Sequence, residues 1–210
     1  PSFAELFAKN NPAILGNANL DPEVIDTFEI SIEYDITGDL NTSLNIFYYE
    51  VEDLIDYPGL GQPAANLFAQ YGHGLEWELN WNINSEWSTK TNLAWQNSSQ
   101  AGLRVADAPN HQVYTMLTWK PDSEWTFNAV ATRAFGRERA QGDLRNKIDD
   151  YSTIDFIAYN DNLIPNLETS IIIKNALDRD NFEPSAMNTI PGDYPLEGRS
   201  VRIEFTYSLN

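Results

Sequence analysis

Five cations fall within the stretch 133–147 of an otherwise acidic chain: Arg133, Arg137, Arg139, Arg145 and Lys147. The whole sequence carries thirteen basic against thirty-one acidic residues, a formal net charge of −18. Here alone the local sign inverts. A guanidinium is a planar fork of donors that meets carboxylate, phosphate or catecholate oxygens two at a time. Arg137, Arg139 and Arg145 are therefore the candidate ligand-binding residues, and the ligand they suit is anionic and rich in oxygen. Glu138, Asp143, Asp149 and Asp150 are interleaved with them, so the alternative is a balanced, solvated loop.

Other chemistry is thinly supported. Nucleophilic catalysis needs a base beside a nucleophile, and the chain has two histidines, His73 and His111, and no cysteine. Both histidines stand near strand starts beside long loops, where a solvated imidazole is the simpler expectation. Glu76 and Glu78, like Glu29 and Glu33, share a strand face. That spacing puts carboxylates within the separation a glycosidase uses, but alternate strand residues reach it automatically. Asp178-Arg179-Asp180-Asn181-Phe182-Glu183 is rich in hard oxygens, yet it lacks the glycine and spacing of a calcium loop. Gly136, Gly142 and their neighbours make no phosphate cradle, and Gly72-His73-Gly74 reads as a kink or bulge in a strand. No catalytic, metal or cofactor residues are assigned, and the chain is not read as an enzyme.

The elements that position these residues follow from a period of two. In Phe28-Glu29-Ile30-Ser31-Ile32-Glu33-Tyr34-Asp35 the apolar residues project to one side and the polar ones to the other. The pattern returns at 75–83 and 201–208. It describes strands with one apolar and one wet face. Nine strands are expected, at 24–36, 40–50, 67–83, 86–98, 110–120, 124–136, 151–161, 166–176 and 198–209. Tight connections at Thr37-Gly38-Asp39, Asn84-Ser85, Pro121-Asp122-Ser123 and Asp161–Pro165 alternate with long segments at 51–66, 99–109, 137–150 and 177–197. Strands this long, with charge on one face and loop lengths sorted to two ends, predict an all-β, antiparallel, up-and-down transmembrane barrel. Phe28, Ile30, Trp77, Leu79, Ile203 and Phe205 are expected on its outer face.

Tryptophan placement supports that reading. Trp81 and Trp87 flank one tight turn, Trp119 and Trp125 flank another, and Trp95 lies further along the face that Trp87 occupies. Eight strand residues cover about 26 Å along the strand, or about 20 Å of height after tilting, the spacing of two aromatic girdles. No run approaches the ~18 consecutive apolar residues of a transmembrane helix. The acid excess argues against nucleic acid, whose phosphates need a basic face. The chain opens at Pro1 without Met or a leader, which reads as a processed protein or a piece of one. An odd strand count cannot close a wall in hydrocarbon, so more strands are expected elsewhere.

Several segments resemble one family. Pro1-Ser2-Phe3-Ala4-Glu5-Leu6-Phe7, then Gly16-Asn17-Ala18-Asn19-Leu20-Asp21-Pro22-Glu23 leading into a strand, is similar to the late barrel of TonB-dependent outer-membrane receptors. Asn175-Ala176-Leu177-Asp178 with Asn181-Phe182 resembles that family's penultimate-strand signature. Pro191 to Ser200 resembles the approach to its final strand, and Ala106-Asp107-Ala108-Pro109-Asn110-His111 a re-entry from an outside loop. The resemblance implies a 22-stranded barrel of which residues 1–210 supply about the last nine strands, the plug domain and earlier strands lying outside this chain. It also implies active uptake of a scarce nutrient, with a ferric siderophore first among the cargoes, and long loops outside the bacterial outer membrane. The implied partners are the TonB-ExbB-ExbD system through the plug region, a small-molecule metal chelate, and outer-membrane lipid and lipopolysaccharide. Ser208-Leu209-Asn210 departs from the family's terminal aromatic. The alternatives are a passive porin-like channel and a soluble carbohydrate-binding or hydrolytic β-protein.

Overall fold

A computed structural model describes residues 1–11, 14–58, 61–106, 108–139, 143–185 and 190–209. Asp107, Gly142 and Asn210, singled out above, lie outside the described residues. The sheet contains β1 (Val24–Thr37), β2 (Leu40–Asp56), β3 (Ala65–Asn82), β4 (Trp87–Gln100), β5 (Leu103–Arg104), β6 (His111–Trp119), β7 (Trp125–Phe135), β8 (Tyr151–Ile164), β9 (Leu167–Lys174) and β12 (Ser200–Tyr207). Its order is β1-β2-β3-β4-β6-β7-β8-β9-β12, with β5 paired beside β4. β10 (Phe182–Glu183) and β11 (Tyr194–Pro195) form a separate two-stranded ladder. The nine expected strands are the nine long ones.

The chain divides into two compact units. One contains Pro1–Ile30, Ile46–Gly74 and Asn97–Val105; the other contains Ser31–Asn45, Leu75–Gln96 and Ala106–Asn210. In the first, Ser2 caps the short helix α1 (Phe3–Phe7) through a capping box with Glu5. The Ser2-x-x-Glu5 spacing carries that signal in the sequence. In the same unit Tyr49 Oη lies 3.0 Å from Ser98 Oγ and accepts from Gln70 Nε2 at 3.0 Å. A Cβ at Gly72 would sit 2.3 Å from the Tyr49 ring. Gly72 therefore admits an aromatic side chain across the strand, and Gly72-His73-Gly74 lies within β3. His73 stands well inside β3 rather than near its start.

In the second unit the registers show which residues share a face. Trp87, Trp119 and Phe127 are successive cross-strand partners, as are Trp95, His111 and Phe135. Ala129, Phe156, Ile173 and Val201 follow one another across β7, β8, β9 and β12, and Ile171 pairs with Ile203. The other face carries Lys90, Asn92, Gln112, Tyr114, Asn128 and Glu204. Lys90 Nζ meets Glu78 at 3.2 Å, Asn80 donates to Asn41 at 3.1 Å, and Ser31 Oγ donates to Asn45 at 2.8 Å. These contacts carry the wet face back to Ser31 in β1, so Trp77, Leu79, Ile203 and Phe205 lie on the opposite, apolar face, and along β1 Phe28 and Ile30 alternate with Ser31.

No ordinary core accompanies this sheet. Among the described residues the buried apolar side chains are Ala64 and Ile148, while Phe28, Ile30, Ile203 and Phe205 are between 55 and 71 % exposed. A contiguous apolar face of that size is unstable in water and suits hydrocarbon. Aromatic rows bound it. At the tight-turn end Trp87 stacks on Trp119 at 5.6 Å, and Phe127 lies 5.3 Å from Trp119 and 5.4 Å from Trp125. At the long-loop end His111 stacks on Phe135 at 4.6 Å.

Two boundaries differ from expectation by more than two residues. β2 continues to Asp56, with Val51, Leu54 and Ile55 keeping it apolar beyond position 50. The connection expected at Asp161–Pro165 is shorter: β8 runs on to Ile164 through a register shift after Asn160, leaving Pro165-Asn166 as the turn. Asn166 adopts φ 65°, a left-handed conformation asparagine tolerates.

Candidate ligand-binding site

The basic segment leaves β7 at Gly136, whose φ of 72° turns the chain out of the sheet. A Cβ there would lie 3.1 Å from the Asn110 side chain, so space as well as conformation favours glycine. Beyond it the three candidate arginines reach into the segment joining β9 to β12.

Arg137 is 3 % exposed. It donates from Nη1 to the Phe182 carbonyl at 2.9 Å and from Nη2 to the Asp149 carbonyl, with Glu183 Oε2 at 3.6 Å. Its Nε is buried without a partner. Arg139 forks onto Asp193, Nη1 to Oδ1 at 2.8 Å and Nη2 to Oδ2, and its Nε donates to the Asn146 carbonyl at 2.6 Å. Arg145 donates from Nε to Asp143 Oδ1 at 3.0 Å, and reaches Ser185 Oγ at 2.7 Å and its carbonyl at 2.8 Å. Arg145 Nη1 stands 3.6 Å from Asp193 Oδ1.

The structure thus joins all three arginines in one cluster tying loop 137–150 to loop 175–199. Sequence reasoning had Asp143 only as one of the balancing charges and missed Ser185 and Asp193, the partners that complete it. The Asp-x-Arg spacing at 143–145 was the available signal for one pair. The cluster is electrostatically settled. Hydrogen bonds from Arg145 hold the Asp143 carboxyl down to about 2, and Asp143 in turn raises the Arg145 guanidinium. Arg139 holds Asp193 below the usual carboxylate range.

The second loop is also anchored at the end of β9. Asn175, at φ 45° and buried, accepts from Arg179 N at 3.0 Å and donates to the Arg179 carbonyl at 2.8 Å. Asn181 exchanges two bonds with Ser152, at 3.0 and 3.1 Å. Asp178 accepts from Arg199 N at 2.9 Å, so the segment first weighed as a calcium loop is a hydrogen-bonded turn. Among the described residues no three His, Asp or Glu side chains converge as a metal cage.

Below the loops, on the wet face, a cavity of about 730 Å³ is lined by residues including Asn45, Glu76, Glu78, Asn92, Gln112 and Tyr114, with Arg137 and Glu183 at its loop end. Glu78 is paired with Lys90 and accepts from Asn80 at 2.8 Å. These carboxylates therefore solvate a polar wall. His111 is not a solvated loop residue: it opens β6 on the apolar face, against Phe135.

A wall of long antiparallel strands, apolar on one face and polar on the other, defines a membrane β-barrel protein. The chain belongs to the TonB dependent receptor-like, beta-barrel family, whose model matches residues 1–176. That family is one of transporters, not enzymes, and its barrels are outer-membrane proteins.

Solved structures agree on the fold. The chain is similar to the copper transporter OprC at 16 % identity and a TM-score of 0.79, covering 100 % of this chain and 35 % of that one. It is similar to the ferric yersiniabactin uptake receptor FyuA from Yersinia pestis at 19 % identity and 0.75, covering 88 % and 30 %. For the ferric-catecholate import receptor Fiu from K12 E. coli the values are 15 % and 0.71, covering 98 % and 30 %. The chain thus spans about a third of the length of each. No curated protein sequence matches significantly.

Proposed function

We propose that this chain is the C-terminal wall of an outer-membrane receptor that takes up a scarce nutrient actively, a ferric siderophore first among its cargoes, with energy delivered through TonB. Membership of the receptor-barrel family carries this reading. Structural neighbours described as ferric-catecholate and ferric yersiniabactin receptors support the cargo class. In this reading residues 1–210 are the last nine strands of a 22-stranded barrel. The plug and the TonB-ExbB-ExbD contact belong to the remainder of the receptor. The long loops stand outside the cell, the tight turns face the periplasm, and outer-membrane lipid and lipopolysaccharide surround the apolar face.

Arg137, Arg139 and Arg145 then lie at the mouth of the wet face, where an anionic metal chelate would arrive. Their forks are largely engaged by loop carbonyls and carboxylates, so they would act on the ligand through residual positive potential and by holding the loops in shape. The decisive experiment is uptake by cells expressing the complete receptor or lacking it, with radiolabelled ferric siderophores as probes. Uptake that disappears on deletion of the receptor or of TonB is the expected result. Uptake that persists without TonB and scales linearly with concentration would instead establish the passive channel.

A further inference from the structure

Arg133 was grouped by sequence with the loop cations, but its register places it elsewhere. It pairs across strands with Val113 and Ser152, on the apolar face, one step inside the aromatic row of His111 and Phe135. Its guanidinium reaches back over the Phe135 ring, 5.0 Å from the centroid, as a long cation does when its stem is apolar and its head seeks the interface. The side chain is 59 % exposed and meets Asp150 through a single Nη2 contact at 3.3 Å, an exposed pair of the kind that contributes little.

A second cation approaches the same place. Arg179 donates from Nη1 to Ser152 Oγ at 2.7 Å, and Ser152 is the direct cross-strand partner of Arg133. Both arginines line a groove of about 200 Å³ whose apolar residues are Val113, Ala131, Ile154 and Leu177. An apolar floor under a pair of cations, on a face bounded by aromatics, fits an amphiphile whose chain is apolar and whose head is a compact oxyanion. A soluble anion would gain nothing from the floor, and a neutral lipid nothing from the arginines.

We propose that this groove binds a phosphorylated outer-leaflet lipid, Arg133 and Arg179 gripping its phosphate while an acyl chain lies along Val113, Ala131, Ile154 and Leu177. The inference rests on the reading that this face meets lipid with its long-loop end outward. It adds a specific site to that reading. The phosphate would replace the weak Asp150 contact and engage both forks, which suit phosphate oxygens two at a time.

The test uses the complete receptor in detergent and native mass spectrometry, with bisphosphorylated lipid A, its dephosphorylated form and inorganic phosphate as probes. Heat-modifiable gel mobility reports whether the barrel is formed. We expect lipid A to be retained, and the Arg133→Gln/Arg179→Gln barrel to retain about tenfold less, the loss expected of two exposed ion pairs. Dephosphorylated lipid A should bind the unaltered barrel no better than lipid A binds that variant. Arg133→Lys/Arg179→Lys should fall between. Arg202→Gln, on the wet face, should change nothing. Equal retention by the unaltered and Gln barrels would overturn the proposal, as would binding of inorganic phosphate as tight as that of lipid A. An unaltered chain that forms no heat-modifiable barrel would overturn the membrane reading itself. A barrel that forms and imports cargo but ignores the lipid phosphate would overturn only this site.

Discussion

The Tyr49 ring lies across Gly72 of the neighbouring strand, so close that a Cβ at position 72 would come within 2.3 Å of it. The pair works as a unit: the glycine provides the room, and the ring uses it to place its hydroxyl between Ser98 and Gln70. Gly72→Ala should push the ring aside and break both bonds, at a cost of about 1–3 kcal/mol. On a Tyr49→Ala background the same change should cost almost nothing. Urea unfolding of the four barrels of this double-mutant cycle reads the difference, and additive costs would show that the two residues are not coupled.

Leu79 and Asn80 are neighbours on opposite faces. Arg at Leu79 should destabilise the barrel by about 2–4 kcal/mol if it sits near mid-bilayer. Arg at Asn80 should be tolerated, since it enters a wet wall beside Glu78, which already accepts from this position. Equal unfolding midpoints for the two variants would contradict the assignment of faces.

The loop cluster should open in acid. Asp143 is held down to about 2 by Arg145, and Asp193 is lowered by Arg139. A carboxyl whose folded value is depressed stabilises fully above its unfolded value and loses that contribution as pH falls through the folded one. The cluster should thus hold at pH 5 and loosen between about pH 4 and pH 2. Hydrogen exchange at 143–147 and 182–185 should accelerate across that window. In Asp143→Asn the acceleration at 143–147 should already be present at neutral pH.

Replacing Arg137, Arg139 and Arg145 together by Gln should leave heat-modifiable barrel mobility unchanged, because the residues stand beyond the strands. Protease cleavage within 143–150 and 175–199 should become faster as the ties between the loops are lost. In the complete receptor, siderophore binding to intact cells should weaken and depend less on salt. If affinity and salt slope stay as they were while cleavage accelerates, the arginines are loop ties only.

The architecture was legible in sequence because period-two alternation is a local property that each strand states for itself. Phe28 through Asp35 need no other strand to declare two faces. The end of β8 was less legible: Asp161 and Asn162 look like turn residues, and only pairing with β9 across a register shift carries the strand to Ile164. The candidate site was half legible. Arg137, Arg139 and Arg145 stood out as a charge inversion, but their partners Ser185 and Asp193 are distant in sequence. Arg133 was misgrouped for the converse reason: it is near the loop in sequence, while β7 assigns it to the apolar face.

The strand order also bears on how the wall is built in time. From β1 to β9 each long strand pairs with the next long strand in the chain, so each of these closures spans fewer residues than the β9-to-β12 connection and costs less chain entropy. The slow closure should be β9 to β12, across residues 175–199. The bond from Arg139 to Asp193 alters that search. Once it forms, only residues 194–199 separate the docked point from the first residue of β12, so the last strand is delivered to β9 by a tether rather than by diffusion of a free loop.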